Sequence, residues 1–242
     1  MVLIGGLVPE TLVSADDPHQ GTVDVDVLLP VALVFDREDQ DFGWLEGALT
    51  AAGFVLVSPN TGWRWTTSVD GAAIVVEFLA DVPDNPGQEL ALPGARTLSA
   101  NNLAGPAPAL RDTREIAVGR HRARAAGVGG YLAAKAAAIV GRGLVKDLYD
   151  FAYVIVHSLA KEGPMLAQHV ESVVVQRPEV GRDMRREVLH ACGRFETIDA
   201  VGPRAYAAEA LRAGSTKSYA ELAEEATESV TALAQLMTGG EE

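Results

Sequence analysis

The run Gly21-Thr22-Val23-Asp24-Val25-Asp26-Val27-Leu28-Leu29 sets two carboxylates two residues apart among β-branched and aliphatic side chains. A β-strand repeats every two residues, so Asp24 and Asp26 point to one face while Val23, Val25 and Val27 point to the other. The apolar flanks predict a strand within a core sheet, closed by Pro30. Asp is depleted in strands, so a pair in one strand needs a reason. In water the pair would form the polar face of an amphipathic strand. In a cleft the two charges repel and require a cation, and a hard divalent ion such as Mg²⁺ suits carboxylate oxygens.

The 242 residues suffice for one large domain or two modest ones. A formal net charge of -13 makes the chain a poor general binder of nucleic acid or anionic membrane, so any such contact needs a local basic patch. Arg111, Arg114, Arg120, Arg122 and Arg124 form the one basic run; it would track a nucleic-acid backbone or serve as a solvated helix face beside Asp112 and Glu115. The single cysteine, Cys192, excludes an intramolecular disulfide and suits a reducing cytoplasm. Met1 to Val8 lack a basic n-region, so no signal peptide is expected. Charges such as Lys135, Arg142, Asp147 and Asp150 interrupt the longest apolar runs, so no membrane span is expected either.

Local patterns predict a short helix over Leu7–Val13 with Pro9 in its first turn, a turn-rich loop over Ser14–Gly21, and the strand Thr22–Leu29. Phe42–Ala52 has helical spacing and Gly53 as a stop. Phe54–Val57 reads as a strand. Trp63–Ser68 and Ala72–Leu79 read as a hairpin about Asp70-Gly71. Asp81–Gly94 reads as an exposed loop and Thr97–Leu103 as a last strand. After Gly105-Pro106-Ala107-Pro108 the composition shifts to Ala, Leu, Glu and Arg. Helices are predicted over Arg111–Ala125, Tyr131–Val140, Lys146–Lys161, Pro164–Val175, Gly181–Cys192, Pro203–Ala213 and Ser218–Met237, the last opened by the capping box Ser218-Tyr219-Ala220-Glu221. The expectation is an α+β chain, with an α/β unit over 1–105 and an all-helical unit over 106–242.

Glu77 is a lone charge in the apolar strand Ala72–Leu79; it marks a strand end reaching water or a third carboxylate beside Asp24 and Asp26. Gly5-Gly6 before a short helix allows backbone N–H groups to approach a phosphate, or forms an ordinary turn. Lys135 lies in an Ala-rich helix that leaves its side chain free to extend. Asp147 and Asp150 are three apart and share a helical face, either facing a site or as a solvated charged face on which Asp147 suits the helix start. The five histidines lack ligand spacing, so no zinc site is expected, and Cys192 reads as packing.

Gly5-Gly6, Thr22-Val23-Asp24-Val25-Asp26, Lys135 and Lys146-Asp147-Leu148-Tyr149-Asp150 together resemble the AbiEii-type nucleotidyltransferases of the DNA polymerase beta-like superfamily, which include toxin halves of bacterial toxin–antitoxin pairs. The family often has Gly-Ser where this chain has Gly5-Gly6, and the gap to Asp24 is longer here. The resemblance implies a mixed nucleotidyltransferase-type sheet with flanking helices. It implies that Gly5 and Gly6 hold a nucleoside triphosphate, that Asp24 and Asp26 hold Mg²⁺ with Glu77 completing the set, that Lys135 touches the phosphates, and that Asp150 is a further catalytic carboxylate. The implied reaction moves a nucleotidyl group to an acceptor hydroxyl, with RNA (a tRNA 3′ end in some relatives) as leading acceptor and an antitoxin protein as partner. Two alternatives stand beside it: a catalytically inactive module that binds nucleotide or partner, and a small-molecule, antibiotic-modifying nucleotidyltransferase whose acidity suits a cationic acceptor.

Overall fold

The computed structural model describes residues 1–31, 39–174, 176–177 and 182–239. Strand β1 (Val2–Ile4) leads into a single 3-10 turn over Gly5–Leu7 and the short helix α1 (Pro9–Leu12), with Pro9 at its first position, where a missing N–H costs nothing. A loop returns the chain to β2 (Asp24–Leu28). Helix α2 (Gly43–Ala51) is followed by Gly53 at φ +79°, and then by β3 (Val55–Leu56). The hairpin of β4 (Arg64–Val69) and β5 (Ala72–Ala80) turns on Asp70 and Gly71, both at positive φ, as its Asp-Gly signal predicts.

Strands β6 (Glu89–Ala91) and β7 (Ser99–Asn102) follow, so the segment expected as an exposed loop over 81–94 contributes a strand. A larger correction concerns Arg111–Ala125, expected as a helix. After the short helix α3 (Pro108–Arg111), residues 113–126 form a second hairpin, β8 (Thr113–Val118) and β9 (His121–Ala126). Val118 pairs with His121, leaving Gly119 and Arg120 as the turn, and Gly119 at φ +58° supplies the first position of a Gly-X hairpin loop. The segment's Ala and Arg content favours a helix, but β9 gains a parallel partner in β1, with Leu3 opposite Ala125, and tertiary pairing overrides propensity. The chain beyond Gly105 therefore returns to the sheet, and the helical portion begins at Val128.

That portion comprises α4 (Val128–Gly141), α5 (Val145–Glu162), α6 (Pro164–Val173), the two-residue strands β10 (Gln176–Arg177) and β11 (Arg182–Asp183), α7 (Met184–Gly193), α8 (Val201–Ala213) and α9 (Tyr219–Thr238). The helices match the sequence expectation to within a few residues, but Arg182 and Asp183, expected in a helix from Gly181, form β11 and the helix starts at Met184, while the helix from Pro164 ends at Val173; Val175 and Gly181 lie outside the described residues.

The main sheet runs β3-β4-β5-β2-β1-β9-β8, with β7 beside the end of β5 and β6 beside β7. It is mixed: β2/β5, β5/β7 and β1/β9 are parallel, the other pairs antiparallel. Its two faces bury different cores. Leu29, Trp65, Phe78 and Ala80 pack with Phe42, Leu45 and Leu49 around α2. Ile4, Leu28, Leu79 and Ala125 join the larger core with Tyr131, Leu132, Tyr149 and Phe151 of α4 and α5, and with α6 to α9 behind them. Asp24 and Asp26 share the face of Leu28, so alternation along β2 turns both carboxylates toward the helices. No helix among the described residues is long and apolar enough to cross a membrane.

The capping box of α9 is formed in both directions: Ser218 Oγ accepts from the Glu221 N–H at 3.3 Å, and Glu221 Oε2 accepts from the Ser218 N–H at 2.7 Å. Helix α9 buries Leu222, Ala226, Val230 and Leu233 in the main core. Ser218→Ala is therefore expected to cost about 1 kcal/mol in urea unfolding, as loss of one N-cap does.

Candidate active site between sheet and helices

Four residues stand in one row across the sheet. Ile4, Asp26, Glu77 and Arg64 are in register on β1, β2, β5 and β4. Gly5 lies directly against this row. A Cβ on Gly5 would sit 1.8 Å from Asp26 Oδ2, and Gly5 has φ +74°, so glycine is required both by backbone conformation and by space for the carboxylate. Gly6 is buried, and a Cβ there would lie 3.0 Å from Thr22 and 3.2 Å from Lys146 Nζ.

Burial pushes the Asp26 carboxyl up to about 6, with Glu77 and Asp24 adding to the rise and Lys135 and Arg142 opposing it. Burial also raises Glu77, against the opposing pull of Arg64. Arg64 Nε lies 2.8 Å from Glu77 Oε1, close enough for an ion pair although its N–H is not aligned for a hydrogen bond.

The facing wall is helix α4. Tyr131, Ala134, Lys135, Ala138, Gly141 and Arg142 recur at helical spacing and line the cavity between helix and sheet. A turn over 142–144, with Gly143 at φ +59°, brings α5 back alongside. Its first turns carry Asp147 and Asp150, and both reach Lys135: Nζ is 3.1 Å from Asp147 Oδ1 and 2.7 Å from Asp150 Oδ2. Arg142 clamps Asp147 from outside with two parallel bonds of 2.7 and 2.8 Å. Burial alone would lower the Lys135 ammonium, but Asp150 and Asp147 outweigh it and hold the group above its usual value. Burial likewise opposes ionisation of both carboxyls. For Asp147 the Arg142 bond and Lys135 overcome it, for Asp150 Lys135 and His19 do, and both end below the ordinary range.

His19 completes the network from the loop between α1 and β2. Its Nε2 is 2.9 Å from Asp150 Oδ1, and its Nδ1 accepts from the Gly21 N–H at 3.0 Å, so Nε2 carries the proton. The ring stacks on Tyr149 with centroids 5.0 Å apart. The loop is further pinned by Gln20 N–H donating to Tyr149 Oη and by Tyr153 Oη donating to the Asp17 carbonyl.

Between the walls lies a cavity of about 390 Å³, a size that suits a small molecule. Asp26, Glu77 and Gly5 line the sheet side and Lys135 and Arg142 the helix side, while Trp63, Leu79, Leu103 and Pro106 make the remainder largely apolar. Asp26, Glu77, Lys135 and Gly5 thus meet in one cleft. Asp24 stands half-buried at the start of β2, and Gly6 lies against Thr22 and Lys146 rather than lining the cavity. Asp150 is fully buried behind Lys135, so its contact with any ligand is indirect. Lys135, expected to extend freely, is 8% exposed and held by two carboxylates.

Among the described residues no group of three or more His, Cys, Asp or Glu side chains is placed to hold a metal ion. Asp24 and Asp26, with no ion-pair partner among the described residues, could both turn oxygens to a cation; Glu77, with Arg64 on its carboxylate, does not join them in this arrangement. His19 escaped sequence reasoning because it sits 131 residues from Asp150 in a loop of turn formers, with no local pattern to mark it. Comparison of the chain with models of protein families, with curated proteins and with solved structures finds no match.

Two stability measurements probe this arrangement. Removing one member of a buried ion network leaves the others uncompensated, so Asp150→Ala is expected to cost about 3–5 kcal/mol in urea unfolding. Glu115→Ala, which breaks the exposed pair with Arg122, should cost under about 1 kcal/mol. The second follows from Asp26. A carboxyl raised on folding destabilises the fold as pH climbs from its unfolded value near 3.8 through about 6, and the penalty is complete above that. Asp26→Asn should therefore raise stability at about pH 8 by on the order of 1–3 kcal/mol, seen as a higher thermal midpoint, and lose most of that advantage at about pH 3, where the wild-type carboxyl is largely protonated in both states.

Proposed function

We propose that the protein is a Mg²⁺-dependent nucleotidyltransferase that moves a nucleoside monophosphate from a nucleoside triphosphate to an acceptor hydroxyl. The observation that carries this reading is the cleft with opposed walls: Asp26 on the sheet with Asp24 beside it, and Lys135 and Arg142 on α4 across a cavity of about 390 Å³. A triphosphate with its metal presents both signs of charge and suits such a space. The resemblance of Asp24-Val25-Asp26, Lys135 and Asp147 to Asp150 to the AbiEii-type enzymes supports the same conclusion, and with it a place as the toxin-like member of a toxin–antitoxin pair.

Asp24 and Asp26 would hold Mg²⁺, which when bound neutralises charge on phosphate oxygens and on departing pyrophosphate. The other roles fall to the chain's own groups. Lys135 has three N–H donors, of which Asp147 and Asp150 take two, leaving one for a phosphate oxygen. Asp150, with His19 behind it, fixes the ammonium in place and acts as a positioning residue. Gly5 gives the Asp26 carboxylate its room. In the transfer the acceptor oxygen bonds to the α-phosphorus, the bond from that phosphorus to the pyrophosphate oxygen breaks, and the acceptor proton leaves to solvent.

RNA is the acceptor this reading favours. Arg120, Arg122 and Arg124 are exposed on the β8–β9 hairpin at the sheet edge, with Arg114 on the opposite face and Glu115 paired to Arg122, and they make this edge the basic stretch of an acidic chain. The Arg64 contact on Glu77 favours a second reading, a module of the same design that binds nucleotide without transferring it.

Incubation with each labelled triphosphate, Mg²⁺ and total RNA separates the two. Transfer of label to RNA is expected, reduced at least about 100-fold in Asp26→Ala and in Lys135→Met. Nucleotide binding without any transfer would establish the second reading, and undiminished transfer by Asp26→Ala would refute the first.

A further inference from the structure

We propose that the Tyr131 hydroxyl is a phosphate-binding donor of this cleft, hydrogen-bonded to an oxygen of the triphosphate beside Lys135 and Arg142. The inference rests on the nucleotide reading above and assigns it a residue that no motif marks.

Tyr131 is 1% exposed, and its Oη has no hydrogen-bond partner among the described residues. Buried hydroxyls in folded proteins are nearly always paired, so an orphan needs an explanation, and a ligand is one. This orphan belongs to a side chain that lines the cavity. Tyr131 stands one helical turn before Lys135, and Tyr131, Lys135, Ala138 and Arg142 fall at i, i+4, i+7 and i+11, one stripe of α4 turned to the sheet. The Lys135 ammonium lies 5.9 Å from the centre of the Tyr131 ring.

The chemistry of the position is specific. Burial, with Asp150, Asp147 and Asp26 nearby, keeps the phenol well above its ordinary range, so it stays a protonated donor. None of those carboxylates takes its proton in a hydrogen bond: Asp147 and Asp150 are directed to Lys135. A phosphate entering opposite Asp26 meets repulsion from the sheet wall. The remaining Lys135 donor, the further N–H groups of Arg142 and the Tyr131 O–H together present donors of three side chains from one helix face. Tyr131 adds a bond there without adding charge. A purely apolar ring would have filled the same space in the core, so the hydroxyl is the part that requires a ligand to explain it.

The test is calorimetric titration of the full chain and of Tyr131→Phe with a nucleoside triphosphate, with inorganic pyrophosphate and with the corresponding nucleoside. The variant is expected to bind the triphosphate and pyrophosphate about tenfold more weakly. Its affinity for the nucleoside and its melting temperature should not fall, because removing an unpaired buried hydroxyl leaves nothing unsatisfied. Equal triphosphate affinity in the two proteins would overturn the inference, and so would a loss that extends equally to the nucleoside. The readout is binding, so wild-type protein that binds pyrophosphate but transfers no nucleotide would defeat the transfer reading while the Tyr131 result stands. Wild-type protein that binds neither triphosphate nor pyrophosphate would defeat both.

Discussion

An unpaired ammonium in the position of Lys135, buried among α4, α5 and the sheet, would cost several kcal/mol or lose its proton. It is retained because Asp147 and Asp150 reach it from the first turns of α5, and because each carboxylate has a second partner of its own, Arg142 and His19. Five charged or polar groups from a loop and two helices thus form one chain of contacts. The antiparallel turn between α4 and α5, the pinning of the loop over 14–23 on Tyr149 and Tyr153, and the orientation of the cavity wall all follow from keeping that chain closed.

The sheet wall is arranged in the opposite sense. Among the described residues Asp26 has no ion-pair partner, and the opposite charges of Lys135 and Arg142 only partly offset the burial and the neighbouring carboxylates that raise it. The helix wall carries satisfied charges with donors to spare, and the sheet wall carries an unsatisfied one. The cavity between them is therefore polarised, and Gly5 is the residue that keeps the negative side in place. Stability and charge pull apart here: the raised Asp26 carboxyl penalises the fold at neutral pH, and a positive charge beside it would relieve that penalty.

Much of the architecture could be read locally. The alternation along β2, the Asp70-Gly71 turn, the stop at Gly53 and the capping box at Ser218 each state their structure within a few residues, because strand period, turn geometry and capping depend on nearest neighbours. The β8–β9 hairpin could not be read that way. Its Ala and Arg residues favour a helix, and only the free edge of β1, more than 100 residues earlier in the chain, makes a strand of β9 the better solution. The pairing of Asp147 and Asp150 on one face was legible from their spacing, but their partner was not, since Lys135 reaches them only once the turn over 142–144 folds α5 back.

The sequence by itself determined that β2 presents two carboxylates on one face, that the last helices are amphipathic, and that Lys135, Asp147 and Asp150 lie on helices with suitable faces. Tertiary structure decided everything that depends on distance across the chain: that the acidic face of β2 turns toward α4, that His19 reaches Asp150, that Arg64 stands on Glu77, and that Tyr131 is left with a buried hydroxyl and no partner among the described residues. The reason is physical. Periodicity and propensity act through bonds and adjacent turns, whereas desolvation and ion pairing act through space, and a sequence states the first directly and the second only after it has folded.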